Sequence, residues 1–160
     1  MTWSATLADA AATDRLGTML AAAIPPSGVI FLRGDLGAGK TSLARALLRR
    51  LGVGGPVKSP TYTLMERYPL AGGDAVHLDL YRIAADSELE FLGLPDLMPD
   101  VRLWLVEWPD HGLRALPSPD LEVALSLAGD GRQARIDAAT AVGRQWLEKL
   151  ALPIDLGASS

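Results

Sequence analysis

Short apolar runs alternate along this chain with longer stretches in which apolar residues recur at every third or fourth position. Leu16, Met19, Leu20 and Ala23 follow helical spacing until Pro25-Pro26 stops them, and Thr6-Leu-Ala-Asp9 resembles a capping box with Asp in place of Glu. This predicts a first helix. Gly28-Val-Ile-Phe-Leu-Arg33 is β-branched and aromatic, too brief for a helix and bounded by Gly, which predicts a buried strand. From Thr41 to Leu51 the residues Leu43, Ala44, Leu47, Leu48 and Leu51 form one stripe, with Arg45, Arg49 and Arg50 outside it and Gly52 placed as a C-terminal cap. A second helix is expected there. Thr61 to Tyr68 and Ala75 to Leu80 read as a strand pair joined by a Gly-rich turn, Glu88 to Gly93 as a short helix or turn, and Arg102 to Val106 as another buried strand. Asp120 to Ala128 and Arg132 to Ala138 alternate around Gly129-Asp-Gly131, a hairpin signal, and Ala139 to Leu150 closes with a helix carrying Val142, Trp146 and Leu150 on one face. The order is α/β, with a mixed central sheet flanked by helices, in which the strands before Gly34 and before Glu107 are parallel and central.

With 160 residues, 49% of them hydrophobic, the chain is long enough to fill one core. The expected organisation is a single domain over 1–152 followed by a flexible C-terminal tail, 153–160. Residues 52–56 and 71–74 read as loops. A net charge of −4 and a pI near 5.1 argue against a broad electrostatic grip on phosphate backbones, so any contact with RNA is expected to be indirect. There is no cysteine, which excludes disulfides and thiolate metal sites, and with only His77 and His111 a zinc site is not expected. The N-terminus shows no secretory pattern and no stretch reaches the ~18 apolar residues of a membrane span, so a cytoplasmic location is expected.

The strongest chemical signal is Gly34-Asp-Leu-Gly-Ala-Gly39-Lys40-Thr41, which fits G-x-x-x-x-G-K-[ST] between a predicted strand and a predicted helix. In a P-loop NTPase domain the backbone N–H groups of Leu36, Gly37, Ala38, Gly39, Lys40 and Thr41 wrap the α- and β-phosphates, helped by the helix N-terminus. Lys40 then reaches the β- and γ-phosphates, and the Thr41 hydroxyl is a ligand for Mg²⁺. The plain alternative is a chance Gly-rich turn.

A P-loop needs a second hard oxygen ligand from a neighbouring strand. In Leu103-Trp-Leu-Val-Glu-Trp-Pro-Asp110 the apolar run stops on Glu107, and Pro109 cannot continue the ladder. A carboxylate at that strand end points into the crevice where α/β sheets bind ligands, which makes Glu107 the candidate metal carboxylate; a surface acid is the alternative. In His77-Leu-Asp-Leu-Tyr-Arg82, strand alternation puts Asp79 and Tyr81 on one face and Leu78 and Leu80 on the other. Asp79 either orients an attacking water or supports the metal, or else caps a turn. Lys40, Asp79 and Glu107 are the candidate catalytic residues. Ser59-Pro-Thr61-Tyr62 stands where P-loop proteins often keep a γ-phosphate sensor, with a plain turn as the alternative. Trp108 is either core packing or an exposed anchor.

Five ordered stretches, GDLGAGKT (34–41), VKSPTYTL (57–64), HLDLYR (77–82), ELEFLG (88–93) and LVEWP (105–109), closely resemble the TsaE family, formerly YjeE, of small bacterial P-loop ATPases. The resemblance runs from about Thr13 to about Arg135. It implies ATP bound at the P-loop, Mg²⁺ held by Thr41 and Glu107, Asp79 and Trp108 in sensitive positions, and Arg132 near the nucleotide. It also implies TsaB and TsaD as partners, with tRNA met only through their complex. In that system TsaD transfers a threonylcarbamoyl group to adenosine beside the anticodon, and the ATP cycle of the TsaE-like protein drives rearrangement or turnover of the complex. Leu78 departs from a frequent Phe, a core-type exchange, and the region beyond about residue 139 is given no role.

No Arg-rich lid is evident in the sequence. P-loop enzymes without an arginine at the γ-phosphate turn over at rates on the order of 10⁻⁴ s⁻¹, and a group supplied in trans adds roughly 10³–10⁵. The expectation is a weak ATPase stimulated by TsaB and TsaD. The rivals are a small nucleotide or metabolite kinase, which needs a cationic lid and an acceptor pocket, and a nucleotide-controlled scaffold without useful hydrolysis.

Overall fold

The computed structural model describes residues 1–84 and 86–150, so the expected tail at 153–160 lies outside the described residues. In chain order the elements are β1 (Thr2–Leu7), α1 (Ala10–Ala22), β2 (Gly28–Arg33), α2 (Lys40–Arg50), β3 (Met65–Tyr68), β4 (Asp74–Asp79), α3 (Leu94–Leu97), β5 (Val101–Glu107), β6 (Leu121–Ala128), β7 (Gly131–Ala138) and α4 (Ala141–Leu150). The described strands make one seven-stranded sheet in the order β1-β7-β6-β2-β5-β4-β3. Strand β2 lies in the middle and runs parallel to both β5 and β6, and β4 runs parallel to β5. The outer pairs, β3 with β4, β6 with β7 and β1 with β7, are antiparallel.

Alternation along the central strands divides the core. Ile30, Leu32, Leu103 and Leu105 face α1, α2 and α4, where Leu16, Leu20, Leu43, Leu47 and Trp146 pack on them. Phe31, Val76, Leu78, Trp104 and Val106 face the other way, under Leu80, Ile83, Leu89 and Leu94 from the irregular segments. At about 1.5–3 kcal/mol for each fully buried large apolar side chain, both faces contribute to stability. Trp146 is held further by an indole N–H donated to the Leu20 carbonyl at 3.0 Å.

The structure corrects several expectations. Residues 2–7 form an edge strand, so Thr6 is not a helix cap; Asp9 is the N-cap of α1 and accepts from the Ala12 amide at 2.9 Å. The strand expected over 61–68 begins only at Met65, because the Leu64 amide turns back to the Pro60 carbonyl at 2.8 Å and Leu64 adopts φ 67°. β4 ends at Asp79, so Tyr81 lies in the following turn rather than on the same strand face. On α4 the buried residues are Gly143, Trp146, Leu147 and Leu150, while Val142 is exposed. Among the described residues no helix is long and apolar enough to cross a membrane.

Candidate functional site

The crevice forms at the C-terminal ends of β2, β4 and β5. Parallel pairing sets Leu32 opposite Glu107 and Asp79 opposite Glu107, so the C-terminal ends of three neighbouring strands meet beside the start of α2. The segment between β2 and α2 is dictated by glycine. Gly34 has φ 144°, and a Cβ there would come within 2.3 Å of the Leu125 carbonyl oxygen. Gly39, the N-cap of α2, is left-handed at φ 105°. It brings no side chain to the first-turn amides of α2, which remain available to an anion and lie at the positive end of the helix dipole.

The loop is braced from outside by the β6–β7 hairpin. Arg132 donates from Nε to the Ala38 carbonyl and from Nη2 to the Gly37 carbonyl, both at 3.1 Å. Occupying those carbonyls fixes the peptide planes of the loop, whose amides then face away from the guanidinium. Arg132 therefore acts on the loop backbone, and it also lines the cleft formed with Asp9, Thr13 and Ser42.

Lys40 is nearly buried, its ammonium donating to the Gly34 carbonyl and, at 3.1 Å, to the Asp35 carbonyl. It also sits 4.4 Å from the centre of the Trp108 ring. Burial pushes the Lys40 ammonium below the ordinary lysine value, while Glu107, Asp79 and Asp35 pull in the opposite direction. Trp108 is half-buried, with left-handed backbone at φ 56°, and its ring packs against Tyr81 and His111 at centroid separations of 4.9 and 5.9 Å. It is thus neither a pure core residue nor a free anchor: it roofs Lys40. Behind it, Arg33 bridges Asp110 and Glu122, tying the turn after β5 to β6.

Glu107 is buried, and the Thr41 hydroxyl donates to it, lying 3.1 Å from each carboxylate oxygen. A hydroxyl and a carboxylate are the hard oxygen donors that Mg²⁺ prefers, and Mg²⁺ usually takes only one or two protein ligands and keeps water and phosphate oxygens. The donor set fits that ion. Among the described residues no group of three or more His, Asp or Glu side chains is assembled into an all-protein metal cage.

Asp79 is buried with both oxygens occupied: Oδ1 accepts the Tyr81 amide at 3.0 Å and Oδ2 accepts the Thr61 hydroxyl at 3.3 Å. Ser59 Oγ lies 2.7 Å from Thr61 Oγ1, so the hydroxyl-rich segment is linked through Asp79 to the sheet. Leu36, Gly37, Gly39, Lys40, Thr41, Thr61, Asp79, Glu107 and Trp108 all border one open cleft, whereas Ala38 turns its side chain into the core. His77, weighed in the sequence only to set aside a zinc site, also belongs to this crevice. It shares the Asp79 face of β4, and its Nε2 lies 2.7 Å from Glu107 Oε2; the two-residue spacing from Asp79 was the available signal.

A Gly-rich strand-to-helix loop at the centre of a mixed sheet, with a buried lysine, a helix-start threonine and a strand-end carboxylate, defines the P-loop class of nucleotide-binding folds. The family model described as "Threonylcarbamoyl adenosine biosynthesis protein TsaE" matches residues 7–135. The chain is 44% identical over 116 residues to the tRNA threonylcarbamoyladenosine biosynthesis protein TsaE of Haemophilus influenzae, covering 72% of this chain and 73% of that protein. It is 34% identical over 134 residues to the protein of the same name from Bacillus subtilis, covering 84% and 82%. The crystal structure of Bacillus YdiB superposes with a TM-score of 0.77 at 26% identity, over 94% of this chain and 95% of that one. The chain belongs to the TsaE family.

Proposed function

We propose that this protein is a Mg²⁺-dependent ATP-binding protein and ATPase that supports threonylcarbamoyladenosine modification of tRNA by acting on partners of the TsaB and TsaD type. The observation that carries this reading is the Thr41–Glu107 pair at the mouth of the loop, with the Lys40 ammonium beside it. Phosphate groups of ATP would accept from the first-turn amides of α2 and from Lys40, which would exchange its carbonyl partners and its place under Trp108 for phosphate oxygens. Thr41 and Glu107 would hold Mg²⁺, which when bound neutralises phosphate charge and orients the γ-phosphoryl group. The family membership supports the tRNA-modification role; TsaB, TsaD and the ATP step are the proposal's own.

One observation favours a second reading, a nucleotide-controlled scaffold with little hydrolysis. Both Asp79 oxygens are engaged, one by the Tyr81 amide and one by Thr61, which suits an acid that senses nucleotide and moves the 59–63 segment better than one free to take a proton from water.

The test is Mg²⁺-dependent ATP hydrolysis by the purified chain, alone and with TsaB and TsaD, with Glu107→Ala as control. Stimulation by the partners that disappears in the variant is the expected result. ATP binding without hydrolysis in either setting would replace the ATPase by the scaffold, and failure to bind ATP would overturn both.

A further inference from the structure

His77 is completely buried in β4, opposite Leu105 of β5 and Glu66 of β3. Its two ring nitrogens are treated very differently. Nε2 lies 2.7 Å from Glu107 Oε2, while Nδ1 is a buried polar atom without a hydrogen-bond partner among the described residues. A carboxylate accepts, so Nε2 carries a proton and donates it, and the unpartnered atom is left on the far side of the ring. Interiors rarely leave such atoms unpaired, and an aliphatic side chain, like that of Leu105 on the next strand, would occupy the sheet without one. Among the described residues the imidazole therefore has a single polar contact, and that contact is the carboxylate that reaches Thr41.

The consequence lies in how the Glu107 oxygens are divided. Oε2 is held by His77 and shared with Thr41, whereas Oε1 among the described residues meets only Thr41. We propose that His77 is a positioning residue for the metal site: by anchoring Oε2 it fixes the orientation of the carboxylate and leaves Oε1 free for a divalent cation beside the Thr41 hydroxyl. This rests on the reading of Thr41 and Glu107 as the Mg²⁺ site. Partners that orient a ligating group typically change metal affinity or activity by about 10–100-fold when removed.

The experiment is calorimetric binding of a non-hydrolysable ATP analogue to the whole chain across a Mg²⁺ titration and again in EDTA. His77→Leu removes the donor; the expected result is a rise of roughly tenfold or more in the Mg²⁺ needed for half-maximal enhancement of binding, with the metal-free affinity unchanged. His77→Gln carries an amide nitrogen able to reach the place of Nε2 and restores the Mg²⁺ dependence. His77→Asn has its nitrogen near the place of Nδ1, too short to reach Glu107, and behaves like His77→Leu. Should the leucine variant fail to fold, the Gln and Asn pair carries the comparison alone. Equal Mg²⁺ dependence in Gln and Asn variants, or an affinity loss of the same size in EDTA, would show a packing role and overturn the proposal. Analogue binding by the unaltered chain that ignores Mg²⁺ would overturn the metal reading beneath it, a result separable from a failure confined to the His77 variants.

Discussion

Each buried charge at the crevice leans on the next. The Lys40 ammonium is taken out of water and compensated by loop carbonyls, the Trp108 ring and the field of nearby carboxylates. Replacing Glu107 by Gln keeps the shape and removes the charge that would hold Mg²⁺ in the proposed site. We expect Glu107→Gln to lower Mg²⁺-dependent ATP affinity by at least tenfold while leaving binding in EDTA within about threefold, measured by calorimetry on a chain whose thermal unfolding confirms that it is folded. Arg132 gives the opposite signature. It braces the loop through the Gly37 and Ala38 carbonyls, so Arg132→Ala should weaken nucleotide binding by a similar factor with and without Mg²⁺. A loss seen only with Mg²⁺ would place Arg132 at the metal instead. At this scale the motif residues were legible because backbone chemistry fixes their order: Gly34 and Gly39 adopt positive φ, and Lys40 and Thr41 must follow immediately. His77 was not legible, because nothing in its own residue type separates a core histidine from one aimed at Glu107.

At the level of elements, the helices and central strands followed from periodicity, and the errors fell on the edges. β1 alternates Trp3, Ala5 and Leu7 inwards with Thr and Ser outwards, but only Leu7 is fully buried and Thr6 to Asp9 also reads as a helix start; pairing with β7 decides for the strand. The hydroxyl-rich 61–64 stretch has strand-like composition, yet local hydrogen bonding from Leu64 to Pro60 turns it instead. The helix expected from Ala139 begins at Ala141, and its apolar face centres on Trp146 and Leu147 rather than Val142 because Gly143 packs directly against the chain at Asp120; a Cβ there would come within 2.0 Å of the Asp120 carbonyl oxygen. Trp146 joins that helix to α1 through Leu20 and lies on the sheet end away from the crevice, next to Gly28 at the start of β2. Trp146→Ala should cost about 3–5 kcal/mol, a fall of roughly 6–20 °C in Tm for a chain of this size, by scanning calorimetry. Nucleotide affinity of the folded fraction should be unchanged at low temperature. Loss of nucleotide binding without loss of stability would show that α4 communicates with the loop.

For the molecule as a whole, the distribution of arginine sets the expected rate. Arg132 is committed to the loop, Arg33 to Asp110 and Glu122, Arg67 to Asp74, and Arg102 to the carbonyls of Pro25, Pro26 and Ala71. Arg82 lies over the exposed Tyr62 ring at 4.5 Å, and among the described residues the cleft around Lys40, Thr41 and Glu107 has no arginine in its lining. Among the described residues Lys40 is the only cationic side chain that lines this cleft, which would leave charge developing on a transferred γ-phosphoryl group incompletely balanced. Turnover by the chain alone should therefore sit near the slow end for P-loop proteins, on the order of 10⁻⁴ s⁻¹, and a partner that delivers a cationic or water-positioning group to the open cleft has roughly 10³–10⁵ in rate to supply. Single-turnover ATP hydrolysis with and without TsaB and TsaD measures both quantities. Fast hydrolysis by the isolated chain, indifferent to partners, would mean that Arg82 or another group moves into the cleft unaided, and the case for a partner-gated ATPase would fall with it.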